Sequence, residues 1–167
     1  MRAGWKPLYA WMVVVLLHAA QTIYYYPRLP AVVAQHFGAQ GNPNGWAPRE
    51  FFFGFSWVVL LGVSALLMLT PRLLGRLPVA MINLPNKAYW LAPERKQESL
   101  EFLQRGTEWI GVLTSGFLVV VMNLAIRANL APDHRLDNSA FIPLLVTFIA
   151  LMLLGSLRVF LRFARPV

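Results

Sequence analysis

Three polar side chains lie inside long apolar stretches of the sequence: His18, Gln21 and Asn123. Polar groups in hydrocarbon are costly unless each one faces a partner or a water-filled cavity. We therefore predict that the three meet in the interior of a helical bundle, together with Ser56 or Thr147. Such a cluster is either a neutral histidine that is satisfied structurally or a site for a ligand or a proton.

A second group of residues could bind a metal ion: His36, Asp133 and His134. Two imidazoles and a carboxylate can hold zinc, which takes nitrogen and oxygen ligands. The sequence has no HExxH or paired-histidine spacing, so only the fold could assemble such a site. It also lacks a GxSxG elbow, a phosphate-binding glycine loop, a dinucleotide fingerprint and a haem attachment motif. We therefore predict no enzyme and no cofactor, and keep metal binding as an alternative.

The elements that position these residues follow from the distribution of charge. The chain of 167 residues is 57% hydrophobic and 13% charged, about half of the charge of a soluble domain. Four long apolar windows contain no Asp, Glu, Lys or Arg: residues 7–27, 51–71, 109–126 and 138–157. A fifth charge-free stretch, residues 29–48, is interrupted by prolines and glycines and is predicted to be a loop. An apolar helix of roughly 20 residues crosses the ~30 Å hydrocarbon layer of a membrane. The windows therefore exclude a soluble enzyme, a disordered chain and a β-sandwich.

We predict an all-α integral membrane protein with four transmembrane helices in a single membrane domain over residues 1–167. Residues 12–20 could instead belong to a signal peptide, but no clean small-x-small cleavage site follows them, which favours a retained first helix. The predicted spans are about 7–27, 51–70, 108–128 and 139–160, the external loops are 28–50 and 129–138, and the cytoplasmic loop is 71–107.

The count of Lys and Arg beside the spans predicts the orientation. With the N-terminus inside, eleven basic residues, Arg2 among them, lie on the inner side. Four lie on the outer side: Arg28, Arg49, Arg127 and Arg135. Because cytoplasmic loops carry the excess of basic residues, we expect both termini in the cytoplasm.

The first external loop is predicted to contain a short amphipathic helix and a turn. Pro30 can start a helix that ends at Phe37, with Gly38 in the left-handed cap position. The segment 41–45 (Gly, Asn, Pro, Asn, Gly) has the composition of a turn. Trp46 is expected to anchor the returning chain at the membrane surface.

The same loop carries a fairly specific set of residues. They are Leu29, Pro30, His36, Phe37, Gly41, Pro43, Asn44, Gly45 and Trp46. In this set the sequence resembles a bacterial membrane domain of unknown function, which also forms the N-terminal part of SdpI-type immunity proteins. The resemblance covers roughly residues 8–69. It implies a location in the bacterial cytoplasmic (inner) membrane and an externally facing loop, but no activity.

The cytoplasmic loop carries a second motif that looks like compact members of this family. Its residues are Asn83, Pro85, Asn86, Tyr89, Trp90, Pro93, Glu94 and Arg95. Pro93 and Glu94 are predicted to open an amphipathic cytoplasmic helix that rises into the third span, since both residue types favour a helix N-terminus. Tyr89 and Trp90 are expected either to anchor the loop at the inner membrane surface or to form a docking surface for a partner.

These observations favour a function in binding. The net charge of +8 does not indicate nucleic acid, because the basic residues lie beside the ends of the apolar windows and not on one polar face. We predict a non-enzymatic binding, regulatory or accessory membrane protein that recognises a peptide, a lipid or a membrane partner through its external loop. The alternatives are a small transporter or channel that forms a homo-oligomer around His18 and Asn123, and a metal-dependent membrane enzyme that uses His36.

Overall fold

The computed structural model describes residues 5–165, and Arg2 lies outside this range. The described chain forms five α-helices and one two-stranded sheet. The elements are α1 (Trp5–Tyr25), β1 (Val32–Phe37), β2 (Pro43–Pro48), α2 (Arg49–Leu73), α3 (Lys87–Trp90), α4 (Pro93–Leu130) and α5 (Asn138–Ala164). The end of the bundle that carries β1 and β2 is called the hairpin side, and the end that carries α3 is called the α3 side.

Four described helical segments are long and apolar enough to cross a membrane. They are Lys6–Arg28, Arg49–Arg76, Pro93–Leu130 and Asn138–Ala164. Each predicted span lies within one of them. The prediction of four helices that are long and apolar enough to cross a membrane is therefore confirmed. The chain therefore has the architecture of a multi-pass membrane protein.

The central helix of the bundle is α4, which packs against α1, α2 and α5. The two helices α4 and α2 approach closely at Gly111, where an added Cβ atom would lie 3.1 Å from Cβ of Leu67. One turn further along, the buried hydroxyl oxygens of Ser64 and Ser115 lie 3.0 Å apart. Small residues at these positions allow the two backbones to come together, as in other pairs of membrane helices.

The outer surfaces of α1 and α5 are apolar and unburied within the single chain. In the most apolar 18-residue window of each helix, 6% of the residues of α1 and 0% of those of α5 are buried. Exposed leucines such as Leu16, Leu153 and Leu154 lie on them. A helix with an apolar surface on all sides is typical of a membrane, where lipid chains cover the side chains that face outward.

The connection between α1 and α2 is a β-hairpin, so the predicted helix from Pro30 to Phe37 is wrong. β1 and β2 pair antiparallel, with Val33 opposite Ala47. The β-branched side chains of Val32 and Val33 favour a strand once a second strand is available to pair with it. That second strand lies later in the chain, and the local helical spacing of a short segment did not reveal it.

The hairpin turn occupies residues 38–42 and not the predicted segment 41–45, of which 43–45 belong to β2. Gly41 has a left-handed φ of 81°, and an added Cβ atom would lie 2.5 Å from the carbonyl oxygen of Leu136. Glycine is therefore required here both by backbone conformation and by the close approach of the α4–α5 connection.

Gly45 serves a different purpose from the one predicted. It pairs with His36 across the two strands, and an added Cβ atom would lie 3.0 Å from Cβ of His36. The absence of a side chain at Gly45 therefore makes room for the histidine, and no left-handed conformation is involved.

The starts of α4 and α5 are stabilised in two ways. Pro93 and Glu94 occupy the first turn of α4, as predicted, and the helix continues without interruption to Leu130. At α5, Asp137 is the N-cap residue and accepts hydrogen bonds from the hydroxyl and the backbone amide of Ser139. The Ser139 hydroxyl is the main cause that holds the pKa of Asp137 below its usual value.

Candidate functional site

The structure brings His18, Gln21 and Asn123 together in the interior of the bundle. Gln21 Nε2 lies 3.1 Å from His18 Nδ1, and Asn123 Nδ2 lies 3.4 Å from Gln21 Oε1. The second ring nitrogen, His18 Nε2, lies 3.1 Å from Ser56 Oγ. The polar cluster, defined by these four residues, therefore connects α1, α2 and α4. Thr147, the other candidate, is exposed on α5.

The hydrogen-bond partners of this polar cluster fix one tautomer of His18. The Ser56 hydroxyl donates its only proton to the carbonyl oxygen of Phe53, at 2.7 Å, so His18 Nε2 must donate to Ser56 Oγ. His18 Nδ1 then accepts from the Gln21 amide, and the Gln21 oxygen accepts from Asn123. Each group finds a partner when the imidazole is neutral, which fits the first of the two interpretations of the cluster.

A cavity of about 440 Å³ lies between α2 and α4, next to the polar cluster. His18 and Ser56 form its polar floor, while Gln35 and His36 line it from the hairpin. Ligand pockets usually have volumes of about 300–1,000 Å³ and combine apolar walls with a few polar groups. This outer cavity, as it is called below, has both properties.

Aromatic side chains of α2 form one wall of the outer cavity. Phe51 and Phe55 stack with their ring centroids 5.8 Å apart and their planes 8° apart. Their exposed fractions are 54% and 56%, so this wall lies at the surface of the bundle. Both rings belong to α2, which is one of the four candidate spans.

The metal-binding candidates on the hairpin side have other partners. His36 Nδ1 lies 2.5 Å from Asn44 Oδ1 on the neighbouring strand. His134, which has a left-handed φ of 50°, packs its ring 5.7 Å from that of Trp46 in an edge-on arrangement. Asp133 accepts a hydrogen bond from the backbone of Arg135. Within residues 5–165, no three His, Cys, Asp or Glu side chains lie close enough together to hold a metal ion.

Asn129 joins the hairpin to α4 through hydrogen bonds to Ala34, a role that was not predicted from the sequence. Its side chain accepts from the amide of Ala34 at 2.7 Å and donates to the carbonyl of the same residue at 2.8 Å. Asn129 and Ala34 are 3% and 0% exposed. The spacing from Met122 and Ile126, which are also buried, places Asn129 on the same inward face of α4, and this periodicity was the available signal.

We expect Asn129→Leu to lower the free energy of unfolding by about 2–3 kcal/mol, because the buried amide and carbonyl of Ala34 lose their partners. Hydrogen exchange of the Ala34 amide should accelerate in parallel. The matched control is Asn138→Leu, which removes one exposed hydrogen bond to Ala39 of the same hairpin. An equal, small effect of the two substitutions would show that Asn129 does not hold the hairpin.

The other residues of the first motif support this hairpin side. Leu29 is buried and packs with Val33 and Phe53 in an apolar cluster under the sheet. Pro30 is exposed just before β1, Phe37 ends β1, and Trp46 is 49% exposed on β2. The motif is therefore explained mainly by the hairpin and its seating on the helices.

On the α3 side, the second motif caps the C-terminus of α5. The Asn86 side chain donates to the carbonyls of Phe163 and Ala164, at 3.1 and 3.0 Å. The indole of Trp90 donates to the Phe163 carbonyl at 3.0 Å. The last carbonyls of a helix have no partner within it, and here a distant segment of the chain supplies the donors.

Trp90 is buried inside the protein, so neither predicted role, an anchor of the loop at the inner membrane surface or a docking surface for a partner, fits this residue. It is 4% exposed and packs edge-on against Phe163, with ring centroids 5.4 Å apart. Tyr89 is half-buried, and Arg95 lies over its ring at 4.0 Å from the centroid. Asn83 and Pro85 are exposed in the connection before α3.

A buried carboxylate lies between α2 and α4, and the sequence did not single it out. Glu108 is 1% exposed, and its Oε1 atom accepts from Arg72 at 3.3 Å and from Gln104 at 2.9 Å. Its Oε2 atom has no hydrogen-bond donor within the described part of the chain. Glu108 stands three and seven residues before Gly111 and Ser115, on the helix face that packs against α2, and this spacing could have revealed it.

Comparison with known proteins identifies a domain but no activity. Residues 13–73 match the family described as "Domain of unknown function (DUF1648)". The matched segment begins within α1, includes the β-hairpin and ends with α2, and it covers less than half of the chain. No curated protein and no solved structure matches the sequence.

The family match confirms part of the resemblance drawn from the hairpin motif. The segment is similar to a domain of unknown function, which supports that part of the prediction, and the match contains His18, Ser56 and His36. Asn123, Asn129 and Glu108 lie outside the matched segment, on α4. The relation to SdpI-type immunity proteins and the bacterial membrane remain predictions.

Proposed function

We propose that this protein is a non-enzymatic membrane protein that binds an apolar ligand, a peptide segment or a lipid chain, in the outer cavity under the β-hairpin. The observation that carries the proposal is the position of this cavity. It lies beneath the hairpin of the matched domain, between α2 and α4, and its aromatic wall is at the surface of a candidate membrane span. A ligand dissolved in the bilayer could enter there without crossing water.

The floor of the cavity suggests which polar group the ligand carries. Ser56 Oγ accepts a hydrogen bond from His18 Nε2 and donates one to the carbonyl oxygen of Phe53, so one lone pair of the hydroxyl oxygen stays available. A ligand donor, such as a hydroxyl, an amide or an ammonium group, matches this lone pair. The hairpin contributes Gln35 and His36 at the rim, where they can contact the part of the ligand that leaves the membrane.

The proposal can be tested by filling the outer cavity. Val121 lines it, whereas the adjacent Val120 is 45% exposed on α4. Native mass spectrometry of the protein extracted in mild detergent should show a bound molecule with the wild type and with Val120→Trp. Val121→Trp should carry one bound molecule fewer than the wild type, and the mass of the missing molecule distinguishes a peptide from a lipid. Retention of the same mass by Val121→Trp, or no bound mass in any sample, would refute the proposal.

A homo-oligomeric transporter or channel is the second candidate, and the polar cluster of His18, Gln21, Ser56 and Asn123 is the observation that favours it. Polar residues within membrane helices often mark a pathway for ions or substrates. In the single chain, however, the four side chains bond to one another and to backbone carbonyls. Transport would require this chain of hydrogen bonds to open, which makes ligand binding the simpler function for the same residues.

A further inference from the structure

A second cavity, of about 510 Å³, lies on the α3 side between α4 and α5. It is called the inner groove below. Arg105 and Arg158 line one of its ends, and Ile110, Leu113 and Leu151 line the other. The groove therefore has a cationic end and an apolar end, and it lies far along the bundle from the outer cavity.

The two ends lie at different depths of the predicted membrane. Arg158 is the first charged residue after the charge-free window 138–157, and Arg105 precedes the window 109–126 by one helical turn. Trp109, which also lines the groove, is 48% exposed, as expected of a tryptophan at a membrane surface. From Arg105 to Leu113 the helix rises by about 12 Å, so the groove runs from the surface into the hydrocarbon.

The cationic end carries an excess of positive charge. Arg105 lies 3.7 Å from Glu101, and both side chains are about half exposed. Arg158 has no carboxylate within 4.0 Å among the described side chains, and its guanidinium lies 6.0 Å from the centroid of Phe102. Arg162, one turn further along α5, is instead paired with Glu98 at 2.7 Å.

Glycine gives the groove its depth. An added Cβ atom at Gly155 would meet nothing within 4 Å, so the wall of α5 is open at this position. At Gly106, on the facing helix, an added Cβ atom would lie 3.4 Å from Val159 Cγ2. A larger residue at Gly155 would therefore occupy the groove without disturbing the packing of the helices.

We propose that the inner groove binds one anionic phospholipid, with its phosphate between Arg105 and Arg158 and an acyl chain along Leu113 and Leu151. A guanidinium group forms strong, charge-assisted hydrogen bonds with phosphate oxygens. Basic pockets between membrane helices are recognised sites for anionic headgroups. A phospholipid matches both ends of the groove at once, whereas a free phosphate matches only one.

The test is a titration of the detergent-solubilised protein with dioleoyl phosphatidylglycerol and, separately, dioleoyl phosphatidylcholine, followed by native mass spectrometry. The wild type should bind one phosphatidylglycerol in preference to phosphatidylcholine. Arg105→Gln and Arg158→Gln should each weaken the binding of phosphatidylglycerol roughly fivefold. Gly155→Leu should weaken the binding of both lipids, because it fills the part of the groove that the acyl chain occupies.

Three control variants separate this site from general effects. Arg76→Gln removes an exposed charge on the α3 side, Gly62→Leu fills open space on α2, and Val121→Trp fills the outer cavity. All three should bind phosphatidylglycerol as the wild type does. Equal binding of the two lipids by the wild type, or unchanged binding after loss of both arginines, would overturn the proposal. Two other results would also overturn it. One is displacement of the lipid by an equal concentration of glycerol phosphate, and the other is a lipid-free dimer of the wild type that the Gly155→Leu substitution dissociates.

Discussion

Replacing Trp90 with alanine is expected to lower the free energy of unfolding by about 3–5 kcal/mol. The indole is 4% exposed, and it lies in the apolar cluster of the α3 side with Leu84, Leu91 and Phe163. Its removal leaves a cavity and also removes the hydrogen bond to the Phe163 carbonyl. The measurement is reversible unfolding in mixed micelles, followed by far-ultraviolet circular dichroism.

Two further substitutions separate the contributions of Trp90. Trp90→Phe keeps most of the apolar contact and loses the donor, so we expect a loss of about 1–2 kcal/mol. Trp109→Ala removes the same side chain from a position that is 48% exposed, and we expect an effect below about 1 kcal/mol in detergent. If Trp90→Ala lowered the free energy of unfolding no more than Trp109→Ala does, the role of Trp90 in joining α3 to α5 would be disproved.

Replacing Arg72 with methionine is expected to destabilise the protein by about 2–3 kcal/mol. The substitution leaves the carboxylate of Glu108, which is 1% exposed, without its cation. Loss of one partner of a fully buried ion pair costs roughly 3–5 kcal/mol. The expected cost is smaller here because Arg72 is 43% exposed, so solvent already screens part of the interaction.

A second substitution provides the internal check for this pair. Glu108→Gln in the Arg72→Met background removes the unpaired charge and should restore at least half of the lost free energy of unfolding. Arg105→Met serves as the matched control, because it removes the cation from an exposed pair with Glu101 and should change stability by less than about 0.5 kcal/mol. An Arg72→Met effect no larger than that of Arg105→Met would contradict the importance of the buried pair.

The four long helices could be predicted from the sequence because their signal is local. An apolar window of about 20 residues that lacks charge and is not broken by clustered prolines and glycines can satisfy its backbone in lipid only as a helix. The hairpin could not be predicted in the same way. Val32 and Val33 become a strand because residues 43–48 pair with them and Asn129, nearly a hundred residues later, binds Ala34.

The polar cluster was predictable for a similar energetic reason. His18, Gln21 and Asn123 are polar groups within apolar windows, and the simplest way to satisfy them is by one another. Asn129 and Glu108 escaped notice because each one lies just beyond the end of a charge-free window, where a polar residue usually faces water. Their helical spacing from small or apolar residues of α4 was the one available signal, and it becomes decisive only once the face of α4 that packs inward is known.

The cap on the C-terminus of α5 has a consequence for the order of assembly. Trp90 and Asn86 bond to carbonyls that are 73 to 78 residues later in the chain. During synthesis Asn86 and Trp90 are made well before residues 163 and 164, so segment 82–91 can contact the start of α4 early, but its hydrogen bonds to α5 can form only after the end of α5 has been made. The contact between α3 and α5 therefore forms late, and a nascent chain that stops before residue 163 lacks the hydrogen bonds that join these two helices.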